Sequence, residues 1–250
     1  MFRIIKLWYN NLMQKINFLS QGQRVDGVLF IPQNGKKNPG VIFLHGATSN
    51  YDSYILRGEQ LLEKGIASLA ISFRGHGGTS EGTLNTISAK DNVYDATSAY
   101  DFFIKQVGVD ANRIGICATS FSATLASEVS IERKVRSLIF RVPAAYTKEM
   151  MTMKMDKLLS DENRIFNQLA GLENTPIVQN ISKFDGSLLV IASENDSLIP
   201  IRIPEVIISS AIMTEKKELK IMKGASHSLK TPEQSQEFTD LLIEWFYKNL

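Results

Sequence analysis

The stretch Arg113-Ile-Gly-Ile-Cys-Ala-Thr-Ser120-Phe-Ser-Ala-Thr-Leu-Ala126 decides how this chain is read. Its apolar run, Ile114 to Ala118, has the character of a buried strand. Ser122 to Ala126 are small or helix-tolerant residues that can open a helix. Ser120 stands at the join. A sharp strand-to-helix turn presses the residues two places before and after its corner against neighbouring backbone, so both must be small, and here they are Ala118 and Ser122. Taken alone, Ala-Thr-Ser-Phe-Ser also fits an ordinary helix entry capped by serine, and the rest of the chain has to choose between the two.

Upstream, Gly40-Val-Ile-Phe-Leu44 is a short, wholly apolar run suited to a strand buried on both faces, and it ends in His45-Gly46-Ala47-Thr48. Ser53 to Lys64 reads as a helix stopped by Gly65. Ile66 to Ile71 is a further strand, leading into the glycine-rich loop Ser72 to Gly82. A long helix follows from about Ser88 to Val107, with Val93, Ala96, Tyr100, Phe103 and Ile104 at helical spacing. Ahead of all these, Lys15–Ser20 and Arg24–Pro32 read as a hairpin around Gln21-Gly22-Gln23.

Downstream, Val135 to Phe140 is the sixth strand. Alternation then breaks from Ala144 to Ser182, a methionine-rich segment expected to form two short helices, the second from near Asp161 to Gly171 with Ile165, Phe166 and Leu169 on it. Strand character returns at Ser187–Ala192, ahead of Asp196, and at Glu218–Met222, ahead of His227, with a helix near Pro204 to Met213 between them. Thr231, Pro232 and Gln234 cap a last helix. Strand–helix alternation behind a leading hairpin predicts an α/β fold. The expected sheet is mostly parallel and eight-stranded, with an antiparallel N-terminal hairpin and helices on both faces. Residues 1–250 are expected to form a single domain, with 144–182 as a small helical cap inserted after strand six.

A net charge of +2 with mixed signs offers no electrostatic footprint for nucleic acid. The lone cysteine, Cys117, excludes a disulfide framework, and no zinc-type Cys/His spacing occurs. No apolar run approaches the ~18 residues of a membrane span. These features lead to an expectation of cytoplasmic location, with no metal or cofactor. Within residues 1–12, Phe2, Ile4, Ile5, Trp8 and Leu12 could share a helical face beside Arg3 and Lys6, which would suit weak contact with a membrane surface. A short docked helix or an unstructured start is the plainer alternative.

In sheets of this kind ligands collect at the C-terminal strand ends. There the chain places His45-Gly46-Ala47, Arg74-Gly75-His76-Gly77, Thr119-Ser120-Phe121, Asn195-Asp196-Ser-Leu-Ile-Pro200 and Gly224-Ala-Ser-His227. In this order, and with Asp110-Ala-Asn-Arg-Ile-Gly115 entering the corner, the chain from about Lys15 onward resembles the α/β-hydrolase superfamily. Its closest flavour is the small bacterial serine esterases and the acylglycerol-lipase or serine-aminopeptidase-like branch. The chain departs from the family's Gly-x-Ser-x-Gly elbow at both glycines.

The resemblance implies Ser120 as nucleophile, Asp196 as acid and His227 as base, with the backbone N–H groups of Ala47 and Phe121 as the oxyanion hole. Glu194 is a rival for the acid and Ser122 for the nucleophile. His45 and His76 are expected to hold loop backbone. The implied activity is hydrolysis of a small-molecule acyl ester or thioester through an acyl-enzyme. An aminopeptidase is the alternative, with Glu149, Asp156, Asp161, Glu162 and Glu173 as candidates to hold a substrate ammonium. A catalytically weak hydrolase fold used for binding is a third reading.

Overall fold

The computed structural model describes residues 13–250. Expectations for residues 1–12 lie outside the described residues. Eight strands form one sheet in the order β1-β2-β4-β3-β5-β6-β7-β8. β1 (Met13–Ser20) and β2 (Gln23–Phe30) make the expected hairpin. Its two corner residues, Gln21 and Gly22, have φ of 49° and 78°, the mirror-image turn whose twist matches that of the flanking strands. β2 pairs antiparallel with β4 (Ala67–Ser72). The remaining pairings, through β3 (Asn38–Leu44), β5 (Val109–Thr119), β6 (Ser137–Arg141), β7 (Ser187–Asn195) and β8 (Lys216–Ser226), are parallel.

Helices cover both faces, as the unbroken apolar runs of β3 and β5 require. On one face lie α1 (Ile55–Glu63) and α9 (Pro232–Asn249), which bury Leu61, Phe238, Leu242, Trp245 and Phe246 against Phe43, Cys117 and Ile139. α9 approaches β5 so closely that a Cβ on Gly115 would lie 2.5 Å from the Phe246 ring. On the other face lie α2 (Ala89–Phe103), α3 (Ser122–Glu132) and α8 (Arg202–Ser210). Ser88 caps α2 in a reciprocal capping box with Asp91.

The segment between β6 and β7 departs from expectation. It forms four short helices, α4 (Lys148–Thr152), α5 (Met155–Ser160), α6 (Arg164–Ala170) and α7 (Pro176–Ile181), together with a 3-10 turn at Leu172–Asn174. α4 and α5 do not merge because Met153 and Lys154 are extended, and Lys154 pairs as a β-bridge with Ser88. Backbone N–H groups of Met155 and Asp156 donate to Ile87 and Leu84 at 2.9 and 3.0 Å, strapping the segment to the loop before α2. Met150, Met151, Met155 and Leu158 are buried in the core, whereas Phe166 is 69% exposed. These methionines and Leu158 therefore turn to the core, and Phe166 turns to solvent.

Candidate active site

Three adjacent strands end in strained backbone. Thr48 follows β3, Ser120 follows β5 and Val142 follows β6, with φ of 61°, 52° and 43°. Left-handed φ is uncommon for any residue with a side chain and a marked outlier for β-branched valine. Such strain persists only where the surrounding structure over-determines it. At Ser120 its N–H donates to Arg141 O at 2.9 Å, and its carbonyl accepts from Ala123 N and Ala144 N at 3.1 and 3.0 Å. Ser122, in place of an elbow glycine, adds a staple. Its Oγ accepts from Thr119 N at 3.0 Å and lies 2.7 Å from Leu44 O, tying the corner to β3. Ser122 is thus fully buried and committed to the turn, and Ala118 is equally buried.

Asp196 follows β7 and His227 follows β8, so the two loops meet at neighbouring strand ends. The Asp196 side chain is 3% exposed, and its Oδ2 is 2.8 Å from His227 Nδ1. Asp196 Oδ1 also accepts from the N–H groups of Leu198 and Ile199, at 2.8 and 2.9 Å. Burial pushes this carboxyl upward, but the bond to His227 and the two backbone N–H groups outweigh it and hold the group below the usual carboxylate range. An ionised carboxylate can only accept, so Nδ1 of His227 carries the proton and Nε2 is left as the basic nitrogen. Glu194 lies elsewhere, exposed, with Oε2 accepting from Gly224 N at 2.8 Å.

Ser120 and His227 line one cavity of about 650 Å³. Among the described residues, no hydrogen bond joins the serine hydroxyl to the histidine, and neither Ala47 N–H nor Phe121 N–H donates to a protein acceptor. His76 braces both segments that carry these N–H groups. Its Nδ1 accepts from Thr48 N at 3.1 Å, Nε2 donates to Asn92 Oδ1 at 3.0 Å, and its ring stacks on Phe121 with centroids 5.1 Å apart. His45 accepts from Phe73 N at Nε2 (2.9 Å) and donates from Nδ1 to Gly46 O (2.6 Å). Burial holds His76 down at about 4 and His45 at about 3. Both are neutral struts for loop backbone.

The cavity is walled from both core layers. Tyr146, Leu159, Arg164, Gln168, Leu198 and Ile199 face it from the side of the insertion, and Tyr54, Arg57, Arg141, Ser235 and Phe238 from the side of α1 and α9. Among the described residues, no methionine is in its walls and no Asp or Glu lines it. The acids considered for ammonium binding also lie outside it. Asp156 borders a different hollow, and Glu173 pairs with Arg202 at 3.4 Å. Sequence reading missed the arginines. Arg141 did leave a signal, as a charge closing the apolar run Leu138-Ile-Phe. Arg57 left none, because a polar residue on a surface-spaced helix carries no mark of what α9 will lay beside it.

A mostly parallel eight-stranded sheet with an antiparallel hairpin, helices on both faces and a strand-end cavity defines an α/β hydrolase. Residues 54–250 match the model of the prolyl oligopeptidase family, and the chain belongs to that family of hydrolases. A comparison with curated proteins found no match. Among solved structures, the chain is similar to Est1E from Butyrivibrio proteoclasticus, solved with ferulic acid bound. The TM-score is 0.75 and the identity 18%, over 94% of this chain and 98% of that one. It is similar to a dienelactone hydrolase from Anabaena variabilis, with TM-score 0.70 and 19% identity over 96% and 99% of the two chains. It is also similar to the acylaminoacyl peptidase of Pyrococcus horikoshii, with TM-score 0.74 and 18% identity over 98% of this chain but 43% of that one.

Proposed function

We propose that the protein is a serine hydrolase that cleaves carboxylic esters or thioesters through an acyl-enzyme. The observation that supports this reading is the 2.8 Å His227–Asp196 contact, with His227 and Ser120 lining one cavity. In this mechanism Ser120 Oγ attacks the carbonyl carbon while His227 Nε2 takes its proton. Asp196 holds the imidazole's tautomer and stabilises its charged form. The oxyanion is received by Ala47 N–H and Phe121 N–H, which have no acceptor to give up among the described residues. Collapse breaks the bond to the leaving oxygen or sulfur, which departs with the proton from His227, and water repeats the cycle in reverse. No serine–histidine hydrogen bond is formed among the described residues, and such bonds often tighten only when substrate binds. α5 and α6, whose Leu159, Arg164 and Gln168 line the cavity, serve as a cap over the strand ends.

The family match favours a second reading, cleavage of an amide. Since no carboxylate lines the cavity among the described residues, a substrate with a free ammonium finds no partner in that wall. A peptide whose amine is acylated would not need one.

The test is labelling with a fluorophosphonate followed by peptide mapping. Ser120 is the expected site, and Ser120→Ala should lower turnover of p-nitrophenyl butyrate by ~10⁴-fold or more with folding intact. Labelling at Ser122, or unchanged turnover, would remove Ser120 from the mechanism. Comparing an amino-acid p-nitroanilide, its N-acetyl form and a simple ester ranks the two readings.

A further inference from the structure

Arg57 and Arg141 are held in the wall of the cavity without an ion-pair partner among the described residues. Arg141 is 5% exposed. Its Nη2 donates to His227 O at 2.7 Å, while its Nε is buried with no acceptor and Nη1 has none among the described residues. Arg57 donates from Nη1 to Ser53 O at 2.8 Å and from Nη2 to Ser235 Oγ at 3.0 Å, and its Nε is likewise buried and unpartnered. Their Cζ atoms lie 4.8 and 5.5 Å from the centre of the Phe238 ring, Arg57 and Arg141 respectively. Neither forms an ion pair among the described residues, and residues 1–12 contain no Asp or Glu that could supply one. Asp196 is the carboxylate whose charge bears on Arg141, and its oxygens are already taken by His227, Leu198 and Ile199. Arg164, on the opposite wall, adds a third cation to a cavity without an acid.

A buried charge is retained at a cost unless something completes it. A planar guanidinium offers the fork that matches a carboxylate, which makes arginine better suited than lysine to bind one. The position is also informative, because Arg141 O receives the Ser120 N–H, so this cation is rooted beside the attacking residue.

We propose that Arg57 and Arg141 form an anion subsite and that the natural substrate carries a carboxylate a few bonds from the bond that is cleaved. The proposal rests on the serine-hydrolase reading for its catalytic consequence but not for binding.

Two kinds of measurement test it. In the first, p-nitrophenyl hydrogen glutarate is compared with p-nitrophenyl hexanoate, placing the charge on the acyl side. 4-Carboxyphenyl butyrate is compared with its neutral carbamoyl counterpart, placing it on the leaving group. For at least one pair kcat/KM should favour the anion by about tenfold or more, as charge-assisted hydrogen bonds would give. In Arg57→Gln that ratio should collapse, in Arg141→Lys it should fall, and salt should reduce it. In the second, glutarate should raise the thermal midpoint of the wild type by about 2 °C or more, and glutaramide should not. Fluorophosphonate labelling keeps the failures apart. A protein that does not label yet gains stability from glutarate loses the hydrolase reading and keeps the subsite. A protein that labels, prefers the neutral ester on both sides and responds equally to glutaramide overturns the subsite.

Discussion

Arg74 and Arg141 occupy comparable places, just beyond or at the C-terminal ends of two parallel strands, and are 2% and 5% exposed. Their surroundings differ completely. Arg74 Nε donates to Asp95 Oδ1 at 2.6 Å, Nη1 to Gln23 at 2.6 Å, and Nη2 to Gln21 at 2.9 Å and to Asp91 O at 3.1 Å. Asp95 Oδ2 also accepts from Arg74 N at 3.1 Å and from Asn92, which also braces His76. That arginine is an internal strut, closed on itself. Arg141 has one protein acceptor, a buried Nε without any, and a cavity beside it. Burial, with the charge of Arg57 beside it, pushes Arg141 below the ordinary guanidinium range. The same residue type at equal burial is thus spent once on holding the loops and once on facing whatever enters the site. Stacking over Phe238 offsets only part of that cost, since a cation–π contact contributes ~0.5–2 kcal/mol against several kcal/mol per desolvated ion.

The sharpest way to break the contrast is to remove one partner from each arginine's surroundings. Asp95→Ala strands a fully buried guanidinium and should cost about 3–5 kcal/mol in urea unfolding. Arg141→Met removes a buried ion that has no counter-ion among the described residues, so stability should hold or rise, by up to about 4 kcal/mol. Ester turnover should nevertheless fall, because His227 O loses its donor. A destabilisation of Arg141→Met equal to that of Asp95→Ala would show both arginines to be struts.

The neutral histidines that brace the loops allow a further check. Both folded values, about 3 for His45 and about 4 for His76, lie below the ordinary imidazole value of about 6.5. The unfolded chain therefore binds more protons between these values. Their contribution to stability is fully present above about pH 6.5 and is lost as pH falls toward 4 and below. Near pH 5 the two together should account for an uptake of about two protons on unfolding. His76→Gln should lower the slope of unfolding free energy against pH there by about one proton. An unchanged slope would mean that His76 titrates alike in both states, and the bracing account would fail.

The smallest expected effect is at the elbow. Ser122→Ala removes the acceptor of Thr119 N and the staple to Leu44 O, and should cost about 1–3 kcal/mol. Ser122→Gly should cost at least as much. Greater stability in Ser122→Gly would show that the hydroxyl adds nothing to this turn.

The order of strands and helices was legible in the chain because the central strands are apolar runs bounded by turn residues and the two longest helices carry their own caps. Both kinds of signal are local, as at Gln21-Gly22, Ser88 and Thr231. Candidates at the strand ends were legible for the same reason, since Ser120, Asp196 and His227 each directly follow a strand pattern. The helices of the insertion were less so. Their breaks are set by the bridge from Lys154 to Ser88, a contact between segments 66 residues apart. The cavity wall contributed by helices was not legible. Whether a helix residue such as Arg57 meets a carboxylate, an aromatic ring or an empty space depends on which side chain of α9 is laid against it. Sequence alone determined the fold and the cast of polar residues at the strand ends. Only the packing of distant elements decided which charges were paired, because desolvation and pairing are properties of a surrounding volume and not of neighbours along the chain.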